Sequence, residues 1–184
     1  MKLRLREHEI SGVYTIESQL FSDDRGYFLE AWNPAELSAL GFEQSFVQDN
    51  IARSARHVLR GLHFQIHAPQ GKLVRAVSGN VFDVAVDLRR SSPTYGRWVG
   101  EELSDSNGRA LWVPPGFAHG YVVLSDTAVV HYKCTTPYAP DAERTLRWND
   151  PTVGVRWPLS EGAVPRLSAR DAAAPLLNAI EAFE

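Results

Sequence analysis

His63 stands in Leu59-Arg60-Gly61-Leu62-His63-Phe64-Gln65, where a period of two puts Leu59, Gly61, His63 and Gln65 on one partly polar face of an extended segment. An imidazole, with an ordinary pKa of ~6.5, is the side chain best suited to take a proton near neutrality. A histidine in a β wall also serves as a hydrogen-bonded structural residue, and spacing does not separate the two. Tyr132 shares a face with Ala128, Val130 and Cys134, a face that should look inward. A phenol, with an ordinary pKa of ~10, is protonated at pH 7 and can return a proton to a carbanion from the side opposite a histidine base. The alternative is a core tyrosine whose hydroxyl finds a partner. Lys72 heads a segment with Val74, Ala76 and Ser78 on its face. Its ammonium either reaches the mouth of a pocket, where it stabilises an oxyanion, or snorkels to solvent.

Other residues bear on this trio. Asp171 is a candidate partner for His63, but as the fourth residue of Ser168-Ala169-Arg170-Asp171 it also fits a helix-capping role. Asp83 is a second candidate partner. His119 closes Pro114-Pro115-Gly116-Phe117-Ala118-His119, a rigid turn expected to aim its ring at a fixed point. The order Pro-x-Gly-x-x-His is similar to the second metal-binding motif of the cupins. A metal site there would add a His-x-His pair and a nearby glutamate, whereas the chain reads His63-Phe64-Gln65 with Glu101 as the next glutamate, so metal binding is disfavoured.

The elements that must position these side chains are predicted to be mostly strands. Segments 26–32, 57–65, 72–78, 97–103, 110–113, 121–124 and 128–135 have strand length and are separated by turn signals such as Ala68-Pro69-Gln70-Gly71 and Ser78-Gly79-Asn80. In 81–88, Phe82, Val84, Val86 and Leu88 alternate with Asp83 and Asp87. A short helix follows the cap Asn33-Pro34-Ala35-Glu36 and stops at Gly41; a second is expected over 172–183. Many short strands with little helix between them predict a mainly β, jelly-roll barrel with a short N-terminal and a C-terminal helix, in one domain over residues 1–184.

With 44% hydrophobic and 22% charged residues, the composition is that of a soluble globular protein. The net charge of -3 argues against a general nucleic-acid binder, yet Arg25, Arg60, Lys72, Arg75 and Arg170 suffice for a local basic pocket holding a small phosphorylated ligand. No apolar run approaches a membrane span and the N-terminus reads as no export signal. With Cys134 the single cysteine, no intrachain disulfide is possible, and the cytoplasm is the expected compartment.

Ordered motifs run along the chain: Asp24-Arg25-Gly26-Tyr27-Phe28-Leu29-Glu30, Phe46-Val47-Gln48-Asp49-Asn50, Val58-Leu59-Arg60-Gly61-Leu62-His63-Phe64-Gln65, Pro69-Gln70-Gly71-Lys72-Leu73-Val74, Pro114-Pro115-Gly116-Phe117-Ala118-His119-Gly120 and Leu167-Ser168-Ala169-Arg170-Asp171. From about Gly12 to Asp171 the chain resembles the dTDP-4-dehydrorhamnose 3,5-epimerase family, metal-free sugar-nucleotide epimerases of cupin type. The resemblance implies His63 as proton acceptor with Asp171 as its partner, Tyr132 as proton donor across the sugar ring, and Lys72 as support for the enolate. It also implies that Arg60 and His119 hold the diphosphate, that Tyr138 stacks on thymine, and that Gln48, Asn50, Glu143 and Arg170 complete the nucleotide site. Arg25, Phe28 and Glu30 would come from an exchanged N-terminal strand of a neighbouring subunit, which makes a homodimer the expected unit. The chain departs from the family pattern at Thr135-Thr136-Pro137-Tyr138, before the stacking tyrosine, and at Arg170, where a lysine is common.

The implied chemistry suits these side chains. Carbons beside a ketone lose a proton only because the carbanion delocalises onto the carbonyl oxygen, so a base, an opposed acid and a cation suffice without metal or redox cofactor. A 3-epimerase, a ketoisomerase of related deoxysugars, a metal-dependent cupin oxygenase and a silent sugar-binding barrel are the rival expectations.

Overall fold

The computed structural model describes residues 2–160 and 162–184. Strands β1 (Leu3–Glu7), β2 (Tyr14–Ser18), β3 (Phe21–Asp23) and β4 (Gly26–Phe28) precede helix α1 (Pro34–Ala39). Then come β5 (Gln48–Ala55), β6 (Leu59–Gln65), β7 (Lys72–Ser78), β8 (Asn80–Asp87), β9 (Trp98–Ser104) and β10 (Arg109–Val113). β11 (Phe117–Val123), β12 (Thr127–Cys134), β13 (Glu143–Thr145) and a single helical turn, α2 (Ala169–Ala172), complete the regular elements. One sheet runs β1-β2-β10-β7-β12-β5 and a second β13-β6-β11-β8-β9, antiparallel throughout, while among the described residues β3 and β4 pair only with each other. The two large sheets face each other as a jelly-roll barrel.

Three apolar layers hold this arrangement. Val74, Leu111, Val113 and Val130 of the first sheet meet Val81, Ala85, Val99, Phe117 and Tyr121 of the second in the barrel interior. Leu37 of α1 and Phe42 cover Leu73 and Trp112 on the outside of the first sheet. The outside of the second is covered by Leu146, Val153, Leu177 and Ile180. The alternation in β8 therefore points its longer apolar stripe outward. Its apolar stripe, Val84, Val86 and Leu88, lies in that outer layer, and the face bearing Val81, Asp83 and Ala85 turns into the barrel. A carboxylate is thus placed on the interior side, where the cavity forms.

Residues 172–183 do not form the expected helix. Only the turn Ala169–Ala172 is α-helical, with Ser168 accepting from the Asp171 N–H at 3.1 Å, and a 3₁₀ turn spans Leu177–Ala179. Pro175 lacks an N–H and disfavours the α conformation at the residue before it. The carbonyls of Ala174 and Pro175 are instead taken by Arg147, through Nε at 2.8 Å and its backbone N–H at 2.9 Å. The predicted strand 26–32 is likewise strand only over Gly26–Phe28, and β1, β2, β3, β5 and β13 are additional to the predicted set.

Candidate active site

The period of two fails where it matters. His63 on β6 lies beside His119 on β11, and Arg60 lies beside Tyr121, so three steps along one strand match two along the other. This bulge carries Arg60 to the same side as His63, although strict alternation puts them on opposite faces. Gly61 makes the bulge possible. Its φ is +125°, and a Cβ there would lie 2.6 Å from Gly120 Cα and 2.8 Å from the His119 carbonyl oxygen. His119 itself is a strand residue rather than the end of a turn, because the chain is extended again from Phe117.

Beneath the bulge is an inner chamber of about 120 Å³ lined by Ala52, Arg60, His63, Lys72, His119, Tyr121 and Tyr132. One sheet supplies Arg60, His63, His119 and Tyr121; the opposite one supplies Ala52, Lys72 and Tyr132. An outer cleft of about 370 Å³ shares His63, Lys72 and Tyr132 with the chamber and adds Gln48, Asn50, Phe64, Gln65, Gln70, Tyr138, Glu143 and Arg170.

The polar groups form two sets. Within the chamber, His63 Nε2 donates to Asp171 Oδ1 at 2.6 Å and His119 Nε2 donates to Asp83 Oδ1 at 2.8 Å. Burial raises the Asp171 pKa, but the hydrogen bond and charge of His63, with help from Ser168 and Arg170, outweigh it and hold the carboxyl below its ordinary value. Asp83 goes the other way: burial pushes it up despite His119 and Lys72. Lys72 is buried, and among the described residues no carboxylate pairs with it in a salt bridge. Burial lowers its pKa, opposed by Cys134, Glu143 and Asp83. Burial raises the pKa of Tyr132, as do Cys134 and Tyr121, so its phenol keeps its proton near neutrality.

At the mouth, the Tyr138 hydroxyl and Arg170 Nη1 each donate to Glu143 Oε2 at 2.6 Å. Gln48 Oε1 accepts from the Tyr138 N–H at 2.8 Å, and Gln48 Nε2 donates to Asn50 Oδ1 at 2.9 Å. A half-exposed aromatic ring is thereby fixed at the rim beside a guanidinium, an arrangement suited to a flat base and an anionic tail.

The expected residues divide accordingly. His63, Tyr132, Lys72, Arg60, His119, Gln48, Asn50, Tyr138, Glu143 and Arg170 converge on one cavity, with Asp171 behind His63. Arg25, Phe28 and Glu30 are absent from its lining; they belong to or follow the exposed β3–β4 hairpin, where Arg25 pairs with Asp23. Arg75 leaves the basic set, since it lies on the outer face of β7 and donates to Ser18 Oγ at 3.0 Å. Tyr121, Gln65 and Gln70 were not anticipated. Gln65 was visible as a face-mate of His63, and it anchors the rim through the Ala68 carbonyl at 2.8 Å and the Ala139 N–H at 2.9 Å. Among the described residues, no group of three or more His, Cys, Asp and Glu side chains gathers where a metal ion would be held.

A family model described as dTDP-4-dehydrorhamnose 3,5-epimerase matches residues 7–179. A dTDP-4-dehydrorhamnose 3,5-epimerase of Pseudomonas aeruginosa is 56% identical over 163 residues, covering 88% of this chain and 89% of that protein. The crystal structure of a dTDP-6-deoxy-D-glucose-3,5-epimerase of Legionella pneumophila, in complex with dTDP-4-keto-L-rhamnose, superposes with a TM-score of 0.92 at 46% identity, covering 97% of this chain and 95% of that one. A 3'-monoepimerase of Streptomyces bikiniensis, in complex with dTDP-quinovose, is similar at a TM-score of 0.86 and 34% identity, covering 93% and 86% of the two chains.

Proposed function

Because the chain belongs to the dTDP-4-dehydrorhamnose 3,5-epimerase family, we propose that it inverts C3 and C5 of dTDP-4-dehydro-6-deoxy-D-glucose to give dTDP-4-dehydro-L-rhamnose, a step of dTDP-L-rhamnose biosynthesis. One observation carries the mechanism: an imidazole and a phenol, His63 and Tyr132, project from opposite sheets into one chamber that also holds a buried ammonium. With its Nε2 proton directed to Asp171, the His63 ring keeps Nδ1 as its acceptor, and it takes the proton from carbon. Lys72 stabilises the enolate oxygen, the more so for lying out of water. Tyr132 returns a proton from the other face, which inverts the centre. Asp171 orients the base. None of these steps calls for a metal or a redox cofactor.

The nucleotide is bound at the rim and beneath it. Arg60 and His119 receive the diphosphate where it meets the chamber wall, Tyr138 stacks on the thymine, and Gln48, Asn50, Glu143 and Arg170 frame it; the contacts to the thymine lie away from the reacting carbons, and together they hold the ring against His63. The functional unit is a homodimer of single-domain subunits in which Arg25, Phe28 and Glu30 of one subunit reach the cleft of the other. In support, β3–β4 pairs with no other strand among the described residues, and Phe28 is 65% exposed. A reducing compartment, the cytoplasm, suits a chain whose single cysteine is a buried thiol.

Proton NMR in heavy water tests the reaction directly. Deuterium is expected at both C3 and C5 of dTDP-4-dehydro-6-deoxy-D-glucose. Exchange at C3 alone would replace this reading with a 3-epimerase, which the likeness to the monoepimerase makes the second candidate. Binding with no exchange would leave a silent sugar-nucleotide carrier.

A further inference from the structure

Tyr121 has no part in the mechanism above, yet it occupies the chamber. It follows His119 by two residues on β11, between Arg60 on β6 and Asp83 on β8. Its ring packs into the barrel interior and the residue is only 3% exposed, while it lines the chamber together with His63, Lys72 and Tyr132. Its hydroxyl is buried and, among the described residues, meets no partner in full hydrogen-bond geometry, although the Ser54 hydroxyl lies close enough to influence it. The Ser54 hydroxyl, a nearby candidate, accepts from Arg60 Nε at 3.0 Å, and Asp83 Oδ1 serves His119 at 2.8 Å. Among the described residues, Glu30, Asn80 and Asp83 also bury a side-chain atom without a partner, but only Tyr121 lines the chamber.

A buried hydroxyl with no partner destabilises a fold, and phenylalanine would fill the same volume without that cost. Stability therefore gives no reason for the oxygen, and its place in the pocket does. We propose that the Tyr121 hydroxyl contacts substrate, donating a hydrogen bond to an oxygen of the bound hexose and so setting how deep the ring sits against His63. This rests on the reading of the chamber as the hexose site, with Arg60 and His119 meeting the diphosphate at its wall. Tyr121 stands on the same sheet as His63 and across from Tyr132, so it is not the acid that protonates the opposite face. Burial, the largest influence on it, raises its pKa and keeps the donor protonated through the working pH range.

The test compares the full-length protein with its Tyr121→Phe variant. KM for dTDP-4-dehydro-6-deoxy-D-glucose should rise roughly 3- to 30-fold with kcat within about threefold, the signature of a lost binding contact. The Kd for dTDP alone, by calorimetry, should not change, and the melting temperature should hold or rise. An unchanged KM overturns the proposal. So does an equal loss of dTDP affinity, which would move the contact to the nucleotide, or a fall in melting temperature that accounts for the loss by packing. A wild-type protein that exchanges no protons would instead overturn the epimerase reading, and this inference with it.

Discussion

Two histidines line the chamber from neighbouring strands, in register with each other, and each is backed by a carboxylate. In the first, the His63 side chain is 29% exposed and Asp171 4%; in the second, His119 is 8% exposed and Asp83 0%. Their hydrogen bonds are nearly equal, at 2.6 and 2.8 Å. What differs is the surroundings. Asp171 sits on a one-turn helix at the barrel edge, is held below its ordinary pKa, and leaves one side of His63 open to both the chamber and the cleft. Asp83 comes from a central strand, burial raises its pKa, and its charge acts on Lys72 as well as on His119. The same two side-chain types thus make a pair fit to exchange protons at the surface of a cavity and a pair that sets the electrostatics beneath it. Exposure and the depth of the carboxylate, not hydrogen-bond length, distinguish the two.

The comparison breaks most directly at His63. Replacing it by alanine is expected to reduce deuterium incorporation at C3 and C5 by about 10³-fold or more while dTDP binding, measured by calorimetry, stays largely intact; exchange at the native rate would remove His63 from the mechanism. Tyr132→Phe keeps the ring and deletes the proton. Net inversion should fall by about 10²-fold while washout of substrate protons persists, and inversion at the native rate would identify another acid.

Asp171→Asn sharpens the contrast between the pairs. It should lower kcat by roughly 10- to 100-fold with little change in KM, because the base remains but its imidazolium loses the neighbouring charge. An equal loss in Asp83→Asn would erase the distinction drawn here. The expected effect of Asp83→Asn is smaller and lies in the pH profile. Burial lowers the Lys72 pKa and Asp83 is one of the charges that opposes this, so removing that charge lowers it further. The ammonium is then lost earlier as pH rises, and the alkaline limb of kcat moves to lower pH. A limb that stays in place, or moves upward, would show that Asp83 does not govern Lys72.

Several local features were legible because they depend on a few neighbouring residues. The helix cap at Asn33 forms as expected, its side chain accepting from the Glu36 N–H at 3.1 Å. β12 presents Ala128, Val130, Tyr132 and Cys134 inward as period two requires. β5 went unnoticed because Gln48–Ala55 is mostly polar, with Ile51 on one face and Ala52 on the other, so this edge strand shows no alternating apolar stripe. The capping box at Ser168 left the role of Asp171 open, and both uses turn out to be compatible: its backbone N–H goes to Ser168 and its carboxylate to His63.

By itself, the sequence determined the mainly β class, an imidazole, a phenol and an ammonium as candidates for the chemistry, and the order of motifs that marks the family. Tertiary structure decided which carboxylate serves which histidine, that the bulge at Gly61 brings Arg60 round beside His63, that the apolar stripe of β8 faces outward, and that the last residues lie along the sheet instead of coiling. Periodicity reports the geometry of a strand along its own axis. Partner choice, register and the covering of a sheet's outer face arise between segments as far apart as His63 and Asp171, where only the folded chain brings the groups into contact.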